Sequence, residues 1–303
     1  MNDLRGTPVG GKGLPLGVRA GQLGLCLKTA QVDKIMNEIP AHATLLRAAG
    51  TAERPIALVT GATAGFGASI ARRLVRDGYH VIATGRRLAR LNDLAAELGD
   101  ALLPVELDVT DRSAVRALPD SLPEGWRAVD VLVNNAGLAL GLDKAWQTSA
   151  DDWETMIATN ISGMVEMTRA LLPGMVERNR GHVIMLGSTA GRYPYPGANV
   201  YGGTKAFVEQ FTQNLRSDLL GHAVRVTNVA PGLCGGSEFS LVRLRDAGQA
   251  AAVYDGTQPL TPDDISETVS WIVGLPAHVN VNYIEIMPVC QASAGLAVDR
   301  KMG

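Results

Sequence analysis

The sequence predicts a doubly wound α/β fold, a single domain with a seven-stranded, mostly parallel sheet and helices on both faces. From residue 54 onward, short runs rich in Val, Ile and Leu alternate with longer amphipathic stretches. A glycine-rich turn joins the first apolar run to the first amphipathic stretch, and no internal repeat interrupts the alternation. Strands and helices in strict alternation require right-handed crossovers between parallel strands, which place helices on both sides of the sheet.

The predicted strands are short apolar runs bounded by glycine or polar residues, as expected for strands buried on both faces. In chain order they are PIALVTG (55–61), HVIATG (80–85), ALLPVELDV (101–109), VDVLVNNAG (129–137), GHVIMLGS (181–188), AVRVTNVAPG (223–232) and a last strand near 283–287.

The predicted helices lie between these strands. In the first, Ile70, Leu74 and Val75 form one apolar face, and Gly99 ends the second. The helical segments are 67–78, 89–99, 151–179, 199–221 and 263–274. In a sheet of this kind the ligand binds outside the carboxyl ends of the strands, where the strand order reverses.

Composition favours a small-molecule partner. The chain has 303 residues, 46% hydrophobic and 19% charged, with a net charge of −2 and a pI near 6.2. No basic field or Lys/Arg run indicates nucleic acid or a membrane surface, and no apolar run is long enough to span a bilayer. Three dispersed cysteines and five scattered histidines form no ligand motif, so we expect no disulfide framework and no metal.

Residues 1–53 are set apart from the predicted domain, which covers 54–303. The first 32 residues are basic and carry an apolar stretch from Leu14 to Leu27, which is compatible with a targeting segment. The alternatives are a disordered extension or an upstream start codon, with Met36 as another possible start. The many glycines of this segment argue against a stable helix.

The loop TGATAGFG after the first strand predicts a dinucleotide site, since glycines between a strand and a helix let backbone N–H groups approach a pyrophosphate. The second strand ends at Gly85 and is followed by Arg86 and Arg87, where NAD-binding chains carry an acidic residue. Because guanidinium groups bind a 2′-phosphate, the sequence favours NADP. The alternative is that both arginines open a solvated helix.

A serine, a tyrosine and a lysine supply the predicted chemistry. Ser188 follows the fifth strand, and Tyr201 and Lys205 are one turn apart on the next helix, so their side chains share a face. We expect the ammonium to lower the pKa of the phenol, Tyr201 to exchange a hydroxyl proton and Ser188 to hold the substrate oxygen. Asn160 is expected to bind a water that connects Lys205 to solvent. By itself, a tyrosine four residues before a lysine occurs by chance on many helices.

Together these residues resemble the short-chain dehydrogenase/reductase family from about Ile56 to the C-terminus. Longer strings such as VIATGRR, LVNNAGLALG and DDWETMI are similar to the bacterial NADP-dependent 3-hydroxy acid dehydrogenases. The resemblance implies a Rossmann fold, a cytoplasmic homotetramer, and substrates such as serine, L-allo-threonine, 3-hydroxyisobutyrate or 3-hydroxypropionate. It also implies that Lys205 holds the ribose. The expected cofactor contacts are Gly61, Ala62, Thr63, Ala64, Gly65, Phe66, Gly67, Arg86, Arg87, Asp108, Val109, Asn135, Tyr201, Lys205, Pro231, Gly232 and Ser237.

The loop after the sixth strand departs from the family pattern, because Gly236, followed by Ser237, stands where many members have a threonine. A hydroxy acid also needs a cation for its carboxylate. Arg192, close to Ser188, is the leading candidate for binding that carboxylate, with Arg243 and Arg245 as rivals. Cys234 is interpreted as a passive thiol.

Two other functions stay open at this point. One is reduction of uncharged aldehydes or ketones. The other is a non-catalytic NADP-binding regulator, which the presence of both Tyr201 and Lys205 disfavours.

Overall fold

The structure, a computed structural model, describes residues 54 to 293. The predicted extension, residues 1–53, lies outside the described residues, so its boundary with the domain stays a prediction. No helix within residues 54–293 is long and apolar enough to cross a membrane.

Seven strands form one sheet, and every pairing is parallel, which confirms the predicted fold class. The strands are β1 (Ile56–Val59), β2 (His80–Gly85), β3 (Leu102–Glu106), β4 (Val129–Asn134), β5 (Gly181–Leu186), β6 (Val224–Pro231) and β7 (Tyr283–Ile286). Their order is β3-β2-β1-β4-β5-β6-β7, so the direction of winding reverses between β1 and β4. The ligand site of a doubly wound sheet lies at that reversal.

Helices cover both faces of the sheet. They are α1 (Gly65–Arg76), α2 (Leu88–Leu98), α3 (Arg112–Ser121), α4 (Ala150–Ile157), α5 (Met164–Glu177), α6 (Asn199–Asp218), α7 (Phe239–Leu244), α8 (Ala247–Ala252) and α9 (Pro262–Val273). A single π-helical turn, Ala158–Gly163, joins α4 to α5, so the predicted helix at 151–179 is one continuous element with a bulge.

Two apolar cores sit on opposite sides of the sheet because successive strand residues face opposite ways. Along β1, Leu58 belongs to the core that packs against α3, α5 and α6. Its neighbours Ala57 and Val59 belong to the core that packs against α1, α2 and α9. The sheet is thus fixed on both faces, and the loops at its carboxyl edge project from a rigid support.

Three helices lie outside the predicted set. Helix α3 begins at an N-cap, Asp111, whose side chain accepts hydrogen bonds from Ser113 and Ala114. Pro119 within it interrupts the sequence pattern that would have indicated a helix. Helices α7 and α8 belong to the segment after β6, residues 233–254, which covers the carboxyl edge of the sheet and which we call the lid.

Candidate active site

A cleft of about 660 Å³ opens at the carboxyl edge of the sheet, which is within the usual range of small-molecule sites. The loops after β1 to β6 form its floor, and the lid forms its roof. The predicted site residues that line it are Gly61, Thr63, Ala64, Gly65, Phe66, Arg86, Arg87, Asp108, Val109, Asn135, Ser188, Tyr201, Lys205, Pro231, Gly232 and Ser237.

The glycine loop after β1 needs its glycines for two different reasons. Gly61 and Gly65 have φ values of +66° and +52°, a region that other residues rarely adopt. At Gly67 the backbone is ordinary, but a Cβ would overlap the Gly61 carbonyl and the Asn135 amide. Asn135 braces the loop by donating from Nδ2 to the Thr60 carbonyl at 2.8 Å. The loop is therefore held in shape by the strand beside it.

Two residues predicted to contact the cofactor do not line the cleft. Ala62 is buried, and its N–H is used by the carbonyl of Thr84 at 2.9 Å. Gly67 is buried at the start of α1, against the Gly61 carbonyl. Both positions shape the glycine loop from behind, because the Ala62 N–H is already used and Gly67 leaves room for the Gly61 carbonyl.

Arg86 and Arg87 lie at the adenosine end of a predicted cofactor. Gly85 lets Thr63 approach β2, since a Cβ there would lie 2.6 Å from the Thr63 methyl. Arg87 donates from Nε and Nη2 to the Thr63 hydroxyl, at 3.2 and 2.8 Å. Within residues 54–293 the Arg86 side chain makes no hydrogen bond or ion pair, although it lines the cleft.

The remaining predicted contacts flank the cleft. Asp108 caps its own turn by accepting from the amide and hydroxyl of Thr110. Val109 packs against Gly163, where a Cβ would collide with its carbonyl oxygen. Ser237 lies against Gly65, so the lid touches the glycine loop directly. The contacts of these residues with a cofactor stay predictions.

Tyr201, Lys205 and Ser188 meet at the other end of the cleft. Tyr201 and Lys205 are on α6, only 7% and 8% exposed, and the Lys205 Nζ lies 5.9 Å from the centre of the Tyr201 ring. That Nζ donates to the Leu186 carbonyl at 2.7 Å. Ser188 caps a short turn by accepting from Ala190, and it lines the same cleft as Tyr201. The predicted trio therefore comes together in space.

The electrostatics of Tyr201 differ from the prediction. Burial raises the pKa of Tyr201 to about 12, opposed by a hydrogen bond from Ser188 and by the charge of Arg243. Burial also lowers the pKa of Lys205 to about 8. The expected lowering of the phenol pKa by Lys205 is not seen, because burial desolvates both groups and the lysine donates to the Leu186 carbonyl.

Asn160 lies in the π-helical turn between α4 and α5. Its side chain accepts from the Leu138 amide at 2.9 Å and donates to the Leu138 carbonyl and the Thr204 hydroxyl, at 2.8 and 3.1 Å. The amide therefore ties the loop after β4 to the helix that carries Tyr201 and Lys205. Its predicted role in binding a water stays a prediction, and the side chain is already engaged.

Arg192 does not reach the cleft, so the leading candidate for the substrate cation is wrong. Its guanidinium forms a bidentate pair with Glu209, at 2.6 to 3.0 Å, and stacks 3.6 Å from the centre of the Tyr283 ring. The backbone turn after Ser188 carries the chain away from the site, so proximity in sequence to Ser188 was misleading. Arg245 is also occupied, by Asp152 at 2.6 Å, and is largely exposed.

Arg243 is the candidate that lies beside Tyr201 in the cleft. Its guanidinium carbon lies 5.5 Å from the centre of the Tyr201 ring and 5.4 Å from that of Tyr195. It donates to the Tyr195 hydroxyl at 2.8 Å and the Gly141 carbonyl at 3.1 Å. Its Nη2 is buried and has no hydrogen-bond partner among the described residues. A buried charged donor without a partner is costly, so this atom favours an anionic ligand.

No sequence motif indicated that Tyr195 and Glu238 belong to the site. Tyr195 orients Arg243, and Glu238 pairs with Arg87 and Arg90 across the cleft. These partners are far apart in the chain, and no motif links them. Burial raises the pKa of Cys234 to about 12, which agrees with a passive thiol. No set of three metal-ligating side chains comes together within residues 54–293.

Comparisons with known proteins agree with this arrangement. The model of the short chain dehydrogenase family matches residues 55–241. A relative from Salmonella typhi, called NADP-dependent 3-hydroxy acid dehydrogenase, is 61% identical over 246 residues, covering 81% of this chain and 99% of its own. A closed form of serine dehydrogenase complexed with NADP+ is 60% identical with a TM-score of 0.80, covering 81% of this chain and 99% of that chain. Serine dehydrogenase from Escherichia coli is 56% identical with a TM-score of 0.70, covering 78% and 99%.

Proposed function

The chain belongs to the short chain dehydrogenase family, and from that premise we propose that it is an NADP-dependent dehydrogenase of small 3-hydroxy acids. Candidate substrates are serine, L-allo-threonine, 3-hydroxyisobutyrate and 3-hydroxypropionate. One observation carries the substrate class: the guanidinium of Arg243, with its buried Nη2 lacking a partner among the described residues, lies 5.5 Å from the ring of Tyr201. A hydroxyl at the phenol and a carboxylate at Arg243 are the two ends of such a substrate.

The residues of the cleft fit NADP. The glycine loop leaves room for a pyrophosphate, and Arg86 and Arg87 stand where a 2′-phosphate would be bound. In this proposal Lys205, which lines the cleft, also holds the ribose. When bound, the cofactor accepts a hydride from the carbinol carbon or returns it to the carbonyl.

The side chains of this protein transfer the hydroxyl proton and orient the substrate. Ser188 donates a hydrogen bond to the substrate oxygen, and Tyr201 takes the hydroxyl proton during oxidation or gives it back during reduction. Because burial raises the pKa of Tyr201 to about 12, the phenol is protonated at neutral pH and can donate a proton during reduction, whereas oxidation requires that it first lose this proton. Arg243 binds the carboxylate, and Asn160 fixes α6 against the loop after β4.

A substrate panel with two matched variants tests this function. Oxidation of 3-hydroxy acids by NADP+ is compared with oxidation of neutral alcohols of the same length. Arg243→Met is expected to lower kcat/KM for the acids by about 30- to 1000-fold and to spare the neutral alcohols, since a charge-assisted contact is lost. Arg192→Met, which removes a guanidinium outside the cleft, serves as the control. Equal loss on both substrate classes in Arg243→Met would exclude the carboxylate role.

Apolar side chains near the same end of the cleft support a second candidate, reduction of uncharged aldehydes or ketones. They are Leu138, Leu142, Phe239, Val242 and Val253. For that function the panel gives the opposite result: neutral carbonyl compounds are reduced with NADPH faster than 3-oxo acids, and Arg243→Met leaves the rate unchanged.

We also propose a homotetramer in the cytoplasm. Support for oligomers comes from apolar residues on the outer faces of α4 and α6, where Ile157 is 43% exposed and Phe207 39% exposed, with the Phe207 ring stacked on that of Phe211. The tetramer and the cytoplasm themselves are carried over from the family resemblance. Light scattering of the purified protein and cell fractionation test the two assignments.

A further inference from the structure

We propose that Glu238 is a positioning residue that latches the lid across the cofactor cleft, so that the adenosine end of the cleft and Arg243 at the substrate end are held together. The inference rests on the proposed use of NADP. It adds a role for a lid residue that contacts neither the reacting groups nor, in this proposal, the cofactor itself.

A single carboxylate joins the lid to the segment after β2. Glu238 Oε2 lies 2.8 Å from Arg87 Nη1, and Glu238 Oε1 lies 2.8 Å from Arg90 Nη1. These hydrogen bonds, with Arg87 first and Arg90 second, lower the pKa of Glu238, so the carboxylate is charged at neutral pH. Arg87 and Arg90 are separated by one helical turn at the start of α2, which allows one carboxylate to bridge them.

The latch leaves the phosphate-binding edge of Arg87 in place. Glu238 takes the Nη1 corner of the guanidinium, whereas Nε and Nη2 face the Thr63 hydroxyl beside the glycine loop. A guanidinium binds phosphate through two neighbouring N–H groups. Glu238 therefore holds Arg87 from the side, and a 2′-phosphate bound at the Nε–Nη2 edge would take the place of the Thr63 hydroxyl as acceptor.

The charges permit the latch and a 2′-phosphate to coexist. Arg86, Arg87 and Arg90 carry three positive charges and Glu238 one negative charge, which leaves an excess of two. A phosphate monoester carries about −1.5 to −2 at neutral pH. With Glu238 in place, a 2′-phosphate balances this cluster, so the carboxylate has no electrostatic reason to leave.

The latch is continuous with the substrate end. Glu238 is the N-cap of α7, which runs from Phe239 to Leu244. The Phe239 ring packs 5.9 Å from that of Tyr201, centre to centre. Near the other end of the helix, the Arg243 carbonyl accepts from the Gly141 amide at 2.9 Å, and its Nε donates to the Gly141 carbonyl. Because only the short helix α7 separates Glu238 from Arg243, we expect that freeing this N-cap also loosens Arg243.

The test measures NADPH release without any substrate, by stopped-flow fluorescence. Glu238→Gln is expected to speed NADPH dissociation about fivefold and Arg90→Gln about threefold, as for the loss of exposed ion pairs. Arg90 does not line the cleft, so its variant removes only the far half of the latch. The double variant should be no faster than Glu238→Gln alone. Glu97→Gln is the matched control because Glu97 forms a similar exposed pair with Arg72 outside the cleft.

A second measurement uses the ligand-free protein. Limited trypsin digestion should cleave after Arg243 and Arg245 at least threefold faster in Glu238→Gln, and thermal unfolding checks that each variant is folded. The proposal is overturned if Glu238→Gln binds NADPH as tightly as the wild type or more tightly, the outcome expected if the 2′-phosphate displaces Glu238. Fully additive effects of the two substitutions would overturn it as well.

The failure of this proposal is distinguishable from the failure of the proposed function. If 3-hydroxy acids are oxidised and NADPH release is unchanged in the variants, the latch is wrong and the function stands. If the variants release NADPH faster and no hydroxy acid is oxidised, the substrate assignment fails and the latch stands.

Discussion

The two ends of the cleft are built in different ways. At the cofactor end, the glycine loop, Arg86 and Arg87 follow the carboxyl ends of two neighbouring strands, β1 and β2. At the substrate end, Tyr201 comes from α6 and Arg243 from the lid, and the loop after β4 contacts Arg243 through Gly141. The first end depends on short segments attached to the sheet, and the second on side chains brought together from distant parts of the chain.

Closeness in sequence therefore predicts closeness in space at one end of the cleft and not at the other. Close to a strand end, the backbone path is fixed by the sheet, so neighbours in sequence reach the same place. Past a turn that guide is lost, as Arg192 shows by pairing with Glu209 outside the cleft although it is only four residues from Ser188. The following experiments separate the two ends.

The largest effect is expected from Tyr201→Phe, which should affect only the substrate end. Loss of the transferable proton should lower kcat by about 10³- to 10⁴-fold, and the dissociation constant for NADPH should change less than threefold. Steady-state kinetics and fluorescence titration measure the two quantities. A variant that keeps full activity would show that another group carries the proton.

Arg86→Ala should affect only the cofactor end. Removing one charge-assisted contact is expected to weaken NADP+ binding about 10- to 100-fold and to leave NAD+ binding within twofold. Calorimetric titration measures the dissociation constants of both cofactors. Arg76→Ala is the control, since Arg76 ends α1, at the end of the helix away from the glycine loop. A parallel loss for NAD+ would mean that Arg86 supports the loop instead of the 2′-phosphate.

Lys205→Met is expected to raise the free energy of unfolding while abolishing activity. The pKa of Lys205 is lowered to about 8 from 10.5, so below pH 8 both folded and unfolded chains hold the proton and the buried charge destabilises the fold. As pH rises from 8 to 10.5 the folded state loses the proton first, and this penalty disappears. The ligand-free variant should therefore be more stable than the wild type by about 2 kcal/mol at pH 6 to 7, with the gain fading by pH 10.5.

Chemical denaturation at several pH values measures that difference, while activity should be lost at every pH. If the variant is less stable at pH 7, the hydrogen bond from Lys205 to Leu186 outweighs the buried charge.

The smallest effect concerns the ionisation of Tyr201 in the ligand-free protein. Because burial raises its pKa to about 12, wild type and Tyr201→Phe should show the same phenolate absorbance at pH 10.5. Ultraviolet difference spectra measure this, and near-ultraviolet circular dichroism confirms that both proteins remain folded. If the wild type shows more phenolate than Tyr201→Phe at pH 10.5, Lys205 lowers the pKa of Tyr201 as the sequence predicted.

Much of the fold was predictable because strands buried on both faces appear as apolar runs. The all-parallel sheet and the glycine loop follow from local patterns. Helix α3 did not, since Pro119 breaks its pattern and only the Asp111 cap marks its start. That Gly67 leaves room for the Gly61 carbonyl was not predicted, because this contact across the loop is visible only in three dimensions.

By itself the sequence determined which residue types stand at the ends of the strands, and hence the fold class, the glycine loop and the joining of Tyr201 and Lys205 on one helix face. These follow from periodicity and from the regular geometry of strands and helices. The tertiary structure placed Arg243 and not Arg192 in the cleft, gave a raised pKa for Tyr201 where a lowered one was expected, and brought Glu238 to Arg87. The physical reason is that ion pairing and burial depend on distances through space, which chain order does not encode.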